Sequence, residues 1–219
     1  MKSKVSRTAV VLLSGGLDSA TVLYLAKAQG YRCSVLIFDY GQRHKQEINR
    51  AVKIARACGC AYRILKINFP WKGSALLDKK IKVPREVSSG IPVTYVPARN
   101  IIFLSFALSL AVVIKAQAIF IGAHAQDYSG YPDCREKFFK AFIKMAKAGL
   151  AAKHEIKILV PLLNKNKSQI IRLGAKLGVP FNLTWSCYRA EKKPCGECDS
   201  CHYRAKGFKE AGLVDPLAK

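Results

Sequence analysis

The chain has 219 residues, half of them apolar, which suits one ordinary domain with a full core and at most a small appendage. Its longest apolar run, Ile101 to Ile114, is too short for a membrane helix and is interrupted by Ser105 and Ser109, while no segment reads as a signal peptide, so a soluble cytoplasmic protein is expected. Thirty-seven Lys and Arg against 14 Asp and Glu give a formal charge of +23, which favours polyanionic partners such as RNA; yet the basic residues are spread over every segment with no aromatic-interleaved basic motif, so a surface that gathers small anionic substrates is expected rather than a dedicated RNA site. In chain order, Thr8 to Leu13 reads as a buried strand that breaks into Ser-Gly-Gly, followed by an apolar helical pattern that Gly30 ends. Arg32 to Phe38 is a second strand, His44 to Cys58 a helix, and Tyr62 to Ile67 a third strand. Phe69 to Pro97 is a long surface loop, the kind that often serves as a lid or substrate-binding segment. Ile101 to Lys115 is expected to be a central buried helix. Ala118 to Gly122 is a strand, Asp127 to Cys134 a polar loop, Arg135 to Ala148 a helix, Ile156 to Val160 a last strand, and Ser168 to Leu177 a helix. Strand alternating with helix argues for an α/β fold: a parallel sheet with helices on both faces and ligands at the carboxyl ends of its strands. That edge collects Ser14 to Ser19, Asp39 to Gln42, His124 to Asp127 and the loop after Val160.

The turn after the first strand carries the most chemistry. Two glycines let backbone N–H groups approach an anion, and the helix that starts there adds unpaired N–H groups and a positive dipole end. Hydroxyls of Ser14, Ser19 and Thr21 are further donors, and Asp18, the one anionic side chain of the loop, suggests a magnesium ion accompanying ATP. The pattern fits neither the dinucleotide nor the kinase-type phosphate loop. Ser14-Gly-Gly-Leu-Asp-Ser19 resembles the pyrophosphate loop of the ATP pyrophosphatases, so Leu13, Ser14, Gly15, Gly16, Leu17, Asp18, Ser19, Ala20 and Thr21 form the expected nucleotide-binding set in an adenine nucleotide alpha hydrolase-like fold.

Near the C-terminus, Cys187, Cys195, Cys198 and Cys201 are spaced Cys-x7-Cys-x2-Cys-x2-Cys. Two overlapping Cys-x-x-Cys units with a fourth cysteine fit one tetrahedral, four-thiolate zinc site, closed and therefore structural; an iron–sulfur cluster is the rival. The expected division is a catalytic domain over residues 1–183 and a zinc-binding segment with a C-terminal helix over 184–219, packed on the same domain. Cys33, Cys58 and Cys60 read as small buried residues, whereas Cys134 could either touch substrate or start a helix.

With these segments in place, the chain resembles the 7-cyano-7-deazaguanine synthases over nearly its whole length. The resemblance rests on Leu13 to Ser19, Phe38-Asp-Tyr-Gly-Gln-Arg-His44, Tyr95-Val-Pro-Ala-Arg-Asn100, Asp127-Tyr-Ser-Gly-Tyr-Pro-Asp-Cys134 and Trp185-Ser-Cys-Tyr188 with the three later cysteines. Ala98 departs from it, standing where glycine is frequent. The resemblance implies conversion of 7-carboxy-7-deazaguanine, ammonia and ATP to the nitrile through an adenylated carboxylate and an adenylated amide, in queuosine or archaeosine precursor synthesis. It also points to a homodimer. Ammonia is expected free or from a separate protein. For catalysis the expected residues are Asp18 with the cations Arg99 and Lys167, either of which could instead be a plain surface residue. For gripping the deazaguanine they are Arg99, Asn100, Asp127, Tyr128, Asp133 and Cys134, against the alternative that 129–132 is only a rigid turn. His44 and His124 are left out as structural histidines.

Overall fold

A computed structural model describes residues 7–85, 90–124, 131–151, 155–190 and 192–218. Five strands form one parallel sheet in the order β3-β2-β1-β4-β5: β1 (Thr8–Leu12), β2 (Arg32–Asp39), β3 (Ala61–Lys66), β4 (Ala118–Phe120) and β5 (Lys157–Leu159). The helices are α1 (Leu17–Ala28), α2 (Gln46–Ala57), α3 (Arg99–Val113), α4 (Glu136–Gly149), α5 (Lys167–Lys176) and α6 (Asp199–Ala211). The α/β reading therefore holds, with element ends shifted by a residue or two.

The central strands read as continuous apolar runs because both faces of the sheet are covered. Ala9 and Val11 of β1, with Val35 and Ile37 of β2 and Phe120 of β4, face one core that includes residues of α1, α2, α5 and α6. Val10, Leu12, Leu36 and Ile119 point the other way, into a second core with α3 and α4. From β1 the chain winds outward to β3 and then crosses back to β4, so the connections after β1 and β4 leave adjacent strands in opposite senses. The crevice that this opens is where ligands of such sheets sit.

Two expectations are corrected here. The apolar helix α3 is not central: Leu104, Ala107, Leu108 and Ala111 are buried, but Ile101, Phe106 and Val113 are 43, 42 and 75 % exposed. In a helix that is apolar all round, periodicity cannot say which face is covered. Of the two roles expected for the 69–97 loop, the described part is packed down as no loose lid would be, while its Leu76 lines the site cavity, as a substrate-binding segment would. Ser74 and Ala75 are fully buried, Ala75 N–H donates to the Val93 carbonyl at 2.8 Å, and the Arg43 guanidinium donates to the carbonyls of Ala75 (3.3 Å) and Ile81 (3.0 Å). Cys33 and Cys58 are buried and Cys60 half-buried, as expected for small core residues.

Candidate active site

The β1–α1 turn knits itself together through its own hydroxyls. Ser14 N–H donates to Ser19 Oγ (3.2 Å), Gly16 N–H to Ser14 Oγ (3.3 Å), and the Ser19 hydroxyl to the Gly16 carbonyl (3.1 Å). Gly16 is the N-cap, so the first N–H groups of α1 have no acceptor within the helix. Gly15 is required for a reason the anion argument did not supply. Its φ is +87°, and a Cβ there would lie 2.3 Å from the Glu47 carbonyl oxygen, because α2 passes directly behind the turn.

Leu13, Ser14, Gly16, Leu17, Asp18 and Ser19 line a cavity in the crevice; Gly15, Ala20 and Thr21 do not. The Thr21 hydroxyl is buried and donates to the Leu17 carbonyl at 2.9 Å, so it is a packing group rather than a donor in the turn.

On the cavity wall three side chains from three elements meet. Lys167, the first residue of α5, donates to both Asp18 oxygens at 2.8 and 2.9 Å. His124, just past β4, places Nε2 at 3.1 Å from Lys167 Nζ and 3.5 Å from Asp18 Oδ2. Burial would raise the Asp18 carboxyl, but the charges and hydrogen bonds of Lys167 and His124 outweigh it and hold it well below the usual carboxylate range. Lys167 can reach across because an Asn166–Gln169 capping box fixes the start of α5 and Gly207 of α6 leaves room for its stem; a Cβ at 207 would meet Lys167 Cγ at 2.4 Å. The sequence reading left out His124; its position directly after β4, at the same edge as Asp18, was the available signal.

Arg99 opens α3 and lines the same cavity among Tyr40, Tyr131 and Tyr188. Burial disfavours its charge, but these tyrosines and Cys134 more than offset that, so the guanidinium stays protonated. Tyr40 is presented to the cavity by the buried Gln42, which accepts from Tyr40 N–H (2.8 Å) and donates to the Phe38 carbonyl (3.1 Å).

The remaining candidates separate by what they touch. Asn100 lines the cavity, and its amide nitrogen donates to the Asp133 carbonyl (3.0 Å) and to Cys134 Sγ (3.3 Å). Asp133 is 5 % exposed, is not among the lining residues, and accepts the Asn100 backbone N–H at 2.9 Å, which makes it the cap of α3. Cys134 lines the cavity as a thiol, since burial pushes it up to about 11. Asp127 and Tyr128 lie outside the described residues.

The four C-terminal cysteines come together, with every Sγ within 4.8 Å of the others. Cys187 Sγ accepts N–H groups of Arg189, Ala190 and Cys195, and Cys195 Sγ those of Glu197 and Cys198, all at 3.3–3.4 Å. Such a cluster could hold a metal ion. It is joined to the nucleotide turn, for Trp185 N–H donates to the Gly15 carbonyl at 2.9 Å, and Trp185, Ser186 and Tyr188 line the cavity.

Residues 8–212 match the family described as queuosine biosynthesis protein QueC. The chain belongs to that family. The 7-cyano-7-deazaguanine synthase of Pseudomonas fluorescens is 52% identical to it over 218 residues, covering 96% of this chain and 97% of that one. The enzyme of the same name from Nostoc punctiforme is 51% identical over 220 residues, covering 95% and 98%. The resemblance carried by the five motifs is thus borne out, and QueC membership brings the enzyme class with it. Among solved structures, NMN synthetase from Francisella tularensis superposes with a TM-score of 0.53 at 19% identity, over 96% of this chain and 79% of that one. A 4-thiouridine synthetase, solved with RNA and bound ATP, gives 0.51 at 18%, over 94% and 50%. At such identity these two share the fold alone.

Proposed function

We propose that this QueC-family chain converts 7-carboxy-7-deazaguanine and ammonia to 7-cyano-7-deazaguanine, consuming ATP at each of two adenylation steps. The observation that carries this is the meeting of an ionised Asp18, Lys167 and His124 beside Arg99, in the crevice of the sheet and at the start of α1. A carboxylate is a poor electrophile. One of its oxygens attacks the α-phosphate, the bond to the β-phosphate breaks, and pyrophosphate leaves. Ammonia then attacks the acyl carbon, AMP departs with the C–O bonding pair, and an amide remains after loss of a proton. The amide oxygen is adenylated in the same way, with loss of one N–H proton and pyrophosphate, and departure of AMP with loss of the second N–H proton gives the nitrile. Both steps need charge stabilised on phosphates more than they need an acid–base pair.

In this reading the α1 turn cradles phosphate and Asp18 holds the magnesium that accompanies ATP, where an ionised carboxylate on the cavity wall suits a hard cation. Lys167 spreads positive charge towards the phosphates, and Arg99 takes the substrate carboxylate. Asn100, whose amide nitrogen is held by Asp133 and Cys134, has its amide oxygen left for the deazaguanine edge, with Tyr131, whose hydroxyl also pairs with Thr94 Oγ1 at 2.9 Å, beside it on the wall; Asp133 is spent on α3.

Zinc is the ion we assign to the four cysteines. Tetrahedral Zn–S bonds near 2.3 Å place sulfurs about 3.8 Å apart, and Cys195 and Cys201 are 3.9 Å apart. Sulfurs this close, all four within 4.8 Å of one another, favour one ion over a multi-iron cluster. Four thiolates leave no open position, so zinc supplies folding energy to the 184–219 segment, packed on a 1–183 catalytic domain, and no chemistry.

Incubating the purified protein with ATP, ammonium and the carboxylated deazaguanine tests the reading. The nitrile, with two AMP and two pyrophosphate for each one formed, is the expected result. ADP and phosphate as products would refute attack at the α-phosphate.

A further inference from the structure

Among the described residues the cavity is lined by one carboxylate besides Asp18, and the reading above gives it no role. Glu47 stands in the first turn of α2, half-buried, on the wall shared with Tyr40, Arg99 and Tyr188. Its position is firmly set, since its carbonyl is the group against which Gly15 is packed. Both Asp18 oxygens already accept from Lys167 Nζ. The Glu47 carboxylate, by contrast, has no hydrogen-bond or ion-pair partner among the described residues; the opposite charge that acts on it is that of Arg99. Burial pushes it up, with Arg99 acting against this, to about 7. It is therefore shared between its two protonation states near neutrality, where a proton acceptor is most effective. Asp18, held far down by Lys167 and His124, is too weak a base for the same task.

The chemistry has an unmet need at this point. In neutral water ammonia is almost entirely ammonium, which has no lone pair. Something on the wall must attract the cation and remove one proton before nitrogen can attack the acyl carbon.

We propose that Glu47 is the ammonium subsite of this cavity: its carboxylate binds the cation beside Arg99 and takes one proton from it. The freed lone pair forms the C–N bond as the C–O bond to AMP breaks; the second proton leaves the new amide nitrogen for solvent, and Glu47 later returns its own to water. This rests on the acyl-adenylate reading above. The charged and titratable groups that face Glu47 are Arg99 from α3, Tyr40 after β2 and Tyr188 from the C-terminal segment; Asp18, Lys167 and His124 lie along the same cavity.

The test is Glu47→Gln, which keeps the shape but neither the charge nor the basicity. Carboxylate-dependent ATP–pyrophosphate exchange, run without ammonia, reports the first adenylation alone. It should continue in the variant, while kcat/KM for ammonium falls at least about a hundredfold. Hydroxylamine, already unprotonated at neutral pH, should be converted to the hydroxamate at near the unaltered rate, and the primary amide should still go on to nitrile. An unchanged kcat/KM for ammonium overturns the inference. So does an equal loss with hydroxylamine or a loss of exchange in a folded variant, since Glu47 would then serve the position of Arg99 or of the substrate. Absence of exchange in the unaltered enzyme would instead remove the acyl-adenylate reading itself, and this subsite with it.

Discussion

Asp18 and Glu47 line one cavity and are driven apart by their neighbours. Lys167 and His124 keep the first ionised; burial makes the second hard to ionise. Asp18→Ala should abolish release of AMP and pyrophosphate while circular dichroism shows an intact fold, since it leaves Lys167 facing the cavity without its anion. Full turnover in that variant would remove the nucleotide turn as the reaction centre. The same pair gives a prediction about pH and stability. A carboxyl raised on folding binds its proton more tightly in the native state, so Glu47 lowers stability as pH rises from its unfolded value near 4.5 through about 7. Asp18 is depressed, so its contribution is present above the unfolded value and is lost only in acid. Glu47→Gln should therefore be relatively more stable than the parent at pH 8 than at pH 5, read as the difference in urea midpoints; an equal difference at both would contradict its raised position. Asp18, Arg99 and Lys167 were legible as candidates because motif and charge mark them. Asp133 misled: carboxylates that cap a helix and carboxylates that grip a ligand look alike until the acceptor's partner is known. His124 was passed over because a lone histidine is more often structural; its place directly after β4, at the edge that holds Asp18, was the signal that residue type alone does not carry.

Turns and helix starts decide how these side chains are aimed. Arg99 and Asn100 point into the cavity because α3 begins at Arg99, and that start is built from Ala98 in the left-handed region (φ 58°, ψ 17°) and the Asp133 cap. A left-handed residue with a Cβ costs about 1–2 kcal/mol, a cost that glycine at this place would avoid. Ala98→Gly should raise stability, by about 1 kcal/mol once the added freedom of the unfolded chain is discounted. Asp133→Ala should cost about 1–3 kcal/mol by leaving the Asn100 N–H buried without its acceptor. It should also loosen Arg99, so KM for the deazaguanine should rise beyond what unfolding explains. Thermal melts with steady-state kinetics would check both, and a stability loss with unchanged KM would separate the cap from the site. Strand and helix order was readable here because fully buried strands form unbroken apolar runs between glycine-marked turns. What α3 buries was not, since the exposed Ile101, Phe106 and Val113 are as apolar as the covered Leu104 and Leu108.

Across the whole molecule the C-terminal segment closes the site that the N-terminal turn opens. Arg204 of α6 is buried, pairing with Asp215 at 2.7 and 2.8 Å and donating to Thr184 Oγ1 at 2.8 Å, and Trp185 beside it reaches the Gly15 carbonyl. Between these anchors lie the four cysteines, packed with Ala75, Val83 and Trp185 in a cluster too small to order itself by apolar burial alone. On the zinc assignment proposed above, the metal supplies that ordering energy. Replacing Cys187, Cys195, Cys198 or Cys201 by serine should therefore lower zinc content and melting temperature together, whereas serine at Cys58 or Cys60 should leave zinc untouched. The tie from Trp185 to the nucleotide turn adds a consequence that the spacing of the cysteines could not show. Stripping zinc with a chelator should impair carboxylate-dependent adenylation at temperatures where β1 to α5 remain folded, because the wall formed by Trp185, Ser186 and Tyr188 is released. Returning zinc should restore melting temperature and adenylation in parallel. Elemental analysis showing iron, full zinc retained after Cys198→Ser, or undiminished adenylation in the stripped protein would each break the link between this cluster and the cavity it closes.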